Sequence, residues 1–355
     1  MTSNTKNFHI VLKSRPGENN EATVSNFGYE ETSYPEGLTE EGCLLVKNLY
    51  LSLDPALRCR LNEETGVDYV RPWQIGKTAD GFGGIGEVVT SNDPEIKVGD
   101  LIVGTFLWPW KLYFTIQAVS VRKISTGSMG WSATLHLSVF GLTGLTAFLG
   151  VKEKGHVVKG GNQTMVVSAA AGSTGSFAGQ IAKAMGCGKV VGTCGSESKA
   201  KCVTEELGFD AAINYKTEDV SERLRVLCPD GVDIYFDNVG GQVSNDIIMQ
   251  MNENSHVILC GQIADYEKTT EYPPPIPKEI SDVLKDKNIT RDRFLVLAYE
   301  DQFSTATQAL MEMYGAGKIK VKETIETGLE NAGKAFVSMM RGGNTGKQLL
   351  KVVSH

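Results

Sequence analysis

The chain has 355 residues, 41% of them hydrophobic and 22% charged, with a formal net charge of −7. That length points to two domains with a substantial core. The composition excludes a disordered or fibrous chain, and the acidic balance excludes a nucleic-acid surface, which needs a basic stripe.

Up to about residue 130, short apolar runs are punctuated by Gly, Pro, Asn and Asp. Cys43–Tyr50, Gly84–Val89 and Leu101–Thr105 are predicted strands of an antiparallel, barrel-like region. Thr134–Val151 holds no formal charge apart from His136. It is short for a membrane span and interrupted by Gly141, Gly144 and Gly150, so a buried helix is expected. From about residue 160 the rhythm changes. Thr164–Ser168 reads as a strand, and Phe177–Met185 sets Ala178, Ile181, Ala182 and Met185 at helical spacing. Val190–Thr193, Ala211–Asn214, Val232–Phe236, His256–Cys260 and Phe294–Leu297 supply further strands, with helix patterns between them such as Val220, Leu224 and Leu227. This alternation predicts a doubly wound parallel sheet. In the tail, Thr305–Gly317 and Ala332–Arg341 are expected as helices, Ile319–Thr324 and Lys347–Val353 as strands.

The simplest architecture is a nucleotide-binding domain of residues 131–304 inserted into a β-rich domain of residues 1–130 and 305–355, with a cofactor expected in the cleft between them. Tyr272-Pro-Pro-Pro-Ile-Pro277 reads equally as a stiff connector or as a wall over that cleft.

The segment Met165–Ser176 has the form of a strand, a glycine turn and a helix start. There, Gly172, Ser173, Thr174 and Gly175 would receive a dinucleotide pyrophosphate on backbone N–H groups at the positive end of a helix dipole. An NAD enzyme carries an acid at the end of the next strand. This chain instead reads Cys194-Gly-Ser-Glu-Ser-Lys199, with a lysine within a turn. Small residues and a cation suit a 2′-phosphate, so NADP(H) is the expected cofactor, with Lys199 and Tyr215 at its phosphate end. The bland alternatives are an exposed lysine on a helix start and a rim aromatic.

Seven cysteines without close pairing read as reduced core thiols in a cytoplasmic protein, and Met1-Thr-Ser-Asn-Thr-Lys6 carries no signal pattern. The five histidines show no HxxxH pairing, so no metal site is expected. Tyr314-Gly-Ala-Gly-Lys318, interrupted by glycines, reads as a helix end and strand start. Without zinc, a hydride enzyme needs another electrophilic aid, and tyrosine hydroxyls can stabilise charge growing on a carbonyl oxygen. Tyr69, in a polar loop before Trp73, and Tyr266, beyond the fifth strand, are the candidates; ordinary packing is the alternative for each. Phe106, Leu107 and Trp108-Pro-Trp110 form an apolar cluster that suits a lipid-accepting pocket or a domain core.

Several segments together resemble one family. Leu51-Ser-Leu-Asp-Pro-Ala-Leu-Arg58, Ala170–Ser176, Leu207–Lys216, Tyr235-Phe-Asp-Asn-Val-Gly-Gly241 and Gly342–Lys347 are similar to the zinc-independent medium-chain reductases of the leukotriene B4 dehydrogenase/prostaglandin reductase group, over nearly the whole chain. Asp68–Trp73, Met251–His256, Tyr272–Pro275 and Asn288–Val296 carry the finer resemblance, to the 15-oxoprostaglandin 13-reductases.

The resemblance implies a GroES-like β-rich catalytic domain with a Rossmann domain, and NADPH-dependent reduction of the 13,14 double bond of 15-oxo-prostaglandins, a lipid substrate. It places Gly172, Ser173, Thr174 and Gly175 at the pyrophosphate and Lys199 and Tyr215 at the 2′-phosphate. Asn238, then Cys260, Gly261, Gln262, Ile263, Ala264, Asp265 and Tyr266, then Phe294, Leu295 and Val296, and finally Asn344 fall on further cofactor positions. Phe106 and Leu107 fall on the substrate pocket, and Tyr69 and Tyr266 beside the ketone. Position 107 is Leu where a related enzyme carries an aromatic residue, and Ala169 stands where glycine is usual. The alternatives are a general alkenal/one or quinone reductase, and a non-catalytic NADPH-binding protein. No nucleic-acid, membrane or metal partner is expected, and the chain should be a monomer or a homodimer.

Overall fold

The computed structural model describes residues 5–38, 40–67, 69–124, 130–268 and 273–353; Asp68 and Tyr272 of the motifs above lie outside them. The chain divides into two compact units, Met1–Leu137 with Glu323–His355, and Ser138–Lys322.

The first unit is built on a mixed seven-stranded sheet. Its order runs Glu323–Thr327, Lys347–Lys351, Cys43–Ser52, Gly84–Ser91, Leu101–Gly104 and Val121–Ile124, and Tyr113–Gln117 also pairs with Cys43–Ser52. Only the pair of tail strands is parallel; the other pairings are antiparallel. Glycines at 84, 86 and 104 open room for Trp108, since a Cβ on any of them would stand 2.1 to 3.3 Å from its indole. Trp108 is fully buried and donates to Asn48 Oδ1 at 3.0 Å. Trp110 is fully buried as well, edge-on to Trp73. The two tryptophans therefore belong to the core of this unit.

The second unit carries six parallel strands: Thr164–Val167, Lys189–Cys194, Ala211–Asn214, Val232–Asp237, Met251–Leu259 and Thr290–Arg293. Numbered in chain order they lie 3-2-1-4-5-6, the Rossmann arrangement. Thr164–Val167 is buried along its whole length, as expected of a central parallel strand covered on both faces. Val166, Val191, Ile213, Leu224, Tyr235 and Ile247 pack one layer of this core.

Four expectations shift. Thr134–Val151 is not one helix. Ala133–His136 forms a 3-10 turn, and the α-helix Leu142–Lys154 begins after Gly141. The chain doubles back so closely that a Cβ at Gly144 would stand 1.8 Å from the Val139 carbonyl oxygen. The sixth strand is the polar Thr290–Arg293, pairing with His256–Leu259, not Phe294–Leu297. Phe294 is buried and its ring stacks on Tyr299 at 5.5 Å, so the apolar run marks burial past the strand end. The tail strand is Glu323–Thr327, starting where its ladder to Lys347 starts, and Lys318–Lys322 run outside any strand. Finally, the helix Phe303–Gly315 packs on Leu142–Lys154 and so lies in the second unit, which extends to Lys322 where the sequence reading placed the boundary at 304.

Candidate functional site

In the second unit, the first strand feeds the glycine turn into the helix Ser173–Met185. Gly172 is the N-cap, and no side chain caps it. The first-turn N–H groups of Ser173, Thr174 and Gly175 thus take no capping bond, which is the arrangement that receives an anion. The turn is tight: Gly172 N donates to Ala169 O at 2.8 Å, and a Cβ at Gly175 would stand 2.4 Å from that same oxygen. Ala169 itself has φ +51°, in the left-handed region that favours glycine.

The second strand ends at Cys194, and Ser196 caps the short helix Glu197–Lys201 by accepting from Lys199 N at 3.3 Å. That helix runs on into a π-helical turn, Cys202–Glu206. Lys199 is half-buried. Burial and the nearby Lys216 charge hold its ammonium below the usual lysine range. Burial, with Cys194 adding, pushes the Tyr215 phenol up, so it stays a neutral donor near pH 7. Lys199, Tyr215 and Lys216 therefore gather at one strand end.

At the end of the fourth strand lies a carboxylate that sequence reasoning missed. Asp237 is fully buried. Its Oδ1 accepts from Tyr235 Oη at 2.8 Å, Gly240 N at 2.9 Å and Val239 N at 3.0 Å, and its Oδ2 accepts from Ser244 Oγ at 2.6 Å. Ser168 Oγ donates to Asp237 Oδ1 at 3.4 Å and accepts from Asn238 N at 2.8 Å; Ser168 O accepts from Asn238 Nδ2 at 2.8 Å. So many donors on one buried carboxylate satisfy its charge. They also join the residue before the glycine turn to Asn238. An acid closing the apolar run Val232–Phe236 was the available signal.

The Cys260–Tyr266 loop follows the fifth strand. Burial, with the Asp237 charge adding, pushes the Cys260 thiol up to about 12, which makes it a poor nucleophile. Tyr266 Oη accepts from Gln262 N at 3.4 Å, and Gln262 is itself buried with its Oε1 unpartnered. Ile263–Asp265 is a 3-10 turn. Phe294 and Val296 are buried and Leu295 is half-buried.

In the first unit, Tyr69 is half-buried in the segment between Leu61 and Trp73. Two arginines hold the neck of that segment. Arg15 donates to Leu61 O at 3.0 Å, Asn62 O at 2.7 Å and Trp73 O at 3.0 Å. Arg60 pairs with Asp80 in bidentate fashion, donates to Arg71 O at 2.9 Å and lies over the Trp73 ring at 5.2 Å. Phe106 and Leu107 have φ +65° and +52° in succession. Two non-glycine residues held there store strain of the kind that gathers at ligand sites. Phe106 packs edge-on to Phe82 at 5.6 Å, while Leu107 is 73% exposed. Asn344 donates to Gly346 O at 2.8 Å in the turn before the last strand.

Among the described residues no group of three or more His, Cys, Asp or Glu side chains could hold a metal ion, and no helix is long and apolar enough to cross a membrane. All seven cysteines are unpaired thiols.

A profile described as zinc-binding dehydrogenase matches residues 173–312, and one described as N-terminal domain of oxidoreductase matches residues 9–124. YfmJ of Bacillus subtilis (strain 168), provisionally named an NADP-dependent oxidoreductase, is 40% identical over 92% of this chain and 93% of its own. The NADPH-dependent curcumin reductase of Escherichia coli is 33% identical over 98% and 97%, and prostaglandin reductase 1 of Rattus norvegicus 35% over 93% and 94%. The crystal structure of CurA from Vibrio vulnificus in complex with NADPH superposes with a TM-score of 0.88 at 32% identity, covering 98% of this chain and 100% of that one.

Proposed function

The chain belongs to the medium-chain dehydrogenase/reductase family, in its zinc-independent type, and from that premise we propose that it reduces the 13,14 double bond of 15-oxo-prostaglandins with NADPH. The observation that carries the cofactor is the uncapped helix start at Gly172, with Lys199 and Tyr215 beside the end of the neighbouring strand, whose last residue is Cys194 where an NAD enzyme carries an acid. It agrees with the NADPH complex of the CurA relative. The prostaglandin substrate rests on the resemblance carried by residues 68–73, 251–256, 272–275 and 288–296 to prostaglandin reductase 2, and on the rat relative's name.

Bound NADPH supplies a hydride for the β-carbon of the enone, and charge then moves to the ketone oxygen as an enolate. The residues of this chain hold and orient. N–H groups of Ser173, Thr174 and Gly175 bind the pyrophosphate, and Lys199 with Tyr215 the 2′-phosphate. Asn238, fixed by Ser168, the Cys260–Tyr266 loop and Asn344 complete the contacts. Because Phe294 and Val296 turn their side chains into the core, that segment offers its backbone and Leu295. The Tyr69 hydroxyl donates to the enolate oxygen, with Tyr266 assisting, and water protonates the α-carbon. Phe106 and the exposed Leu107 face the lipid chain. Among the described residues no donor set suits a zinc ion, and the proposed steps are carried by the residues named here.

Following NADPH absorbance with 15-oxo-prostaglandin E2 tests this. Tyr69→Phe should lower kcat about a hundredfold, the scale of one oxyanion donor, while the KM for NADPH holds; unchanged turnover removes Tyr69 from the mechanism. A second reading, a general alkenal/one or curcumin-type reductase, is favoured by the name of the Escherichia coli relative. Faster turnover of small enones than of the prostaglandin would select it.

A further inference from the structure

We propose that Lys216 is a second specificity-determining cation for a 2′-phosphorylated adenine nucleotide, acting beside Lys199; this rests on the cofactor reading above. The third strand pairs Asn214 with Cys194, and Tyr215 N donates to Cys194 O at 3.1 Å, so residues 215 and 216 emerge level with Gly195 and Ser196. Asn214 then turns the chain: Lys216 N donates to Asn214 Oδ1 at 3.3 Å, and Thr217 N to Asn214 O at 3.0 Å. The turn folds both side chains over Gly195. A Cβ there would stand 2.8 Å from the Tyr215 hydroxyl and 3.3 Å from Lys216 Cε, so the absence of a side chain at 195 is what admits them.

The Lys216 charge is close enough to help depress the Lys199 ammonium. Two like charges held together at a strand end cost free energy that a shared anion would recover. A phosphate monoester carries close to two negative charges at neutral pH, so one lysine neutralises half of it. Ser196 Oγ and Ser198 Oγ lie 3.1 Å apart at the start of the helix that carries Lys199, and the Tyr215 hydroxyl lies over the adjacent Gly195. The nearby acid Glu218 is already engaged by Asn214 N at 2.8 Å and by Arg223 at 2.6 Å, and Lys216 takes part in no ion pair among the described residues.

The test is calorimetric binding of 2′,5′-ADP and of ADP to the full chain, to Lys216→Ala and to Lys199→Ala. Lys216 is exposed, so its removal should leave folding intact. Lys216→Ala is expected to weaken 2′,5′-ADP about tenfold, the value of one charge-assisted contact, and to leave ADP unchanged. The loss should shrink in high salt, as an exposed charge requires, and Lys216→Arg should restore most of the preference. If Lys199→Ala loses the preference and Lys216→Ala keeps it, the role of Lys216 is overturned and the phosphate site stands. If neither substitution distinguishes the two ligands, the phosphate site fails with it.

Discussion

Ala169 carries a constraint out of proportion to its single methyl group. Its φ of +51° puts Cβ against its own backbone, in a turn whose Ala169 carbonyl leaves no space for a Cβ at Gly175. Ala169→Gly should therefore stabilise the chain by about 0.5–1 kcal/mol, read as a higher urea midpoint; a lower midpoint would mean that the turn tolerates alanine without strain. The glycines of this turn and Lys199 were legible from sequence because each is defined by its distance along the chain from a strand. Lys216 and Asp237 were not. The first matters through register between two strands, and the second through donors that arrive from Ser168, Ser244 and the backbone beyond it.

Elements were legible where burial and period coincide. The central strands and the helix Ser173–Met185 were read to within a few residues, since both faces or one clean stripe are apolar. The edge strand Thr290–Arg293 was displaced onto the apolar residues after it, because an edge exposes polar side chains and gives no apolar period. The loop holding Tyr69 shows a different limit. Its sequence reads as a polar turn, and nothing in it announces that Arg15 and Arg60 pin its two ends. That clamp predicts a positioning effect. Arg15→Ala should lower kcat less than Tyr69→Phe does, and the double variant should match Tyr69→Phe alone, since both act through one hydroxyl. Losses that simply add would show that Arg15 acts elsewhere.

For the molecule as a whole, a half-buried histidine and a buried ion pair set its response to solution conditions. His136 is pushed down to about 4 by burial, with the Arg122 charge adding, and its neutral Nδ1 faces Arg122 NH2 at 3.5 Å. The unfolded chain takes up this proton near the ordinary value of about 6.5 while the folded one does not. Stability is therefore full above that value and falls as pH drops from there toward 4. His136→Asn should show a smaller loss of Tm between pH 7 and pH 5 than wild type; equal losses would assign the acid sensitivity to other groups. Lys347 is the other case. It is buried and bonds Leu53 O at 3.1 Å and the Asp54 carboxylate, which Ser52 Oγ also meets at 2.6 Å. Lys347→Ala leaves that carboxylate uncompensated and should cost about 3–5 kcal/mol in chemical unfolding, whereas an exposed pair such as Lys278–Asp282 should cost under about 1 kcal/mol.

The strand Lys347–Lys351 also lies between Glu323–Thr327 and Cys43–Ser52, inside the sheet of the unit that begins the chain. On the ribosome, residues 50–52 emerge early and must wait for the partner on one flank, roughly 300 positions later. By then the whole of residues 138–322 has left the exit tunnel and can fold on its own contacts. The sheet that starts to form first is thus the last to close: Tyr113–Gln117 already cover Cys43–Lys47, and an unfinished chain exposes the flank of Tyr50–Ser52 as an open strand edge. Chaperone capture during translation is expected at that edge, and it should end when Leu349 and Leu350 arrive.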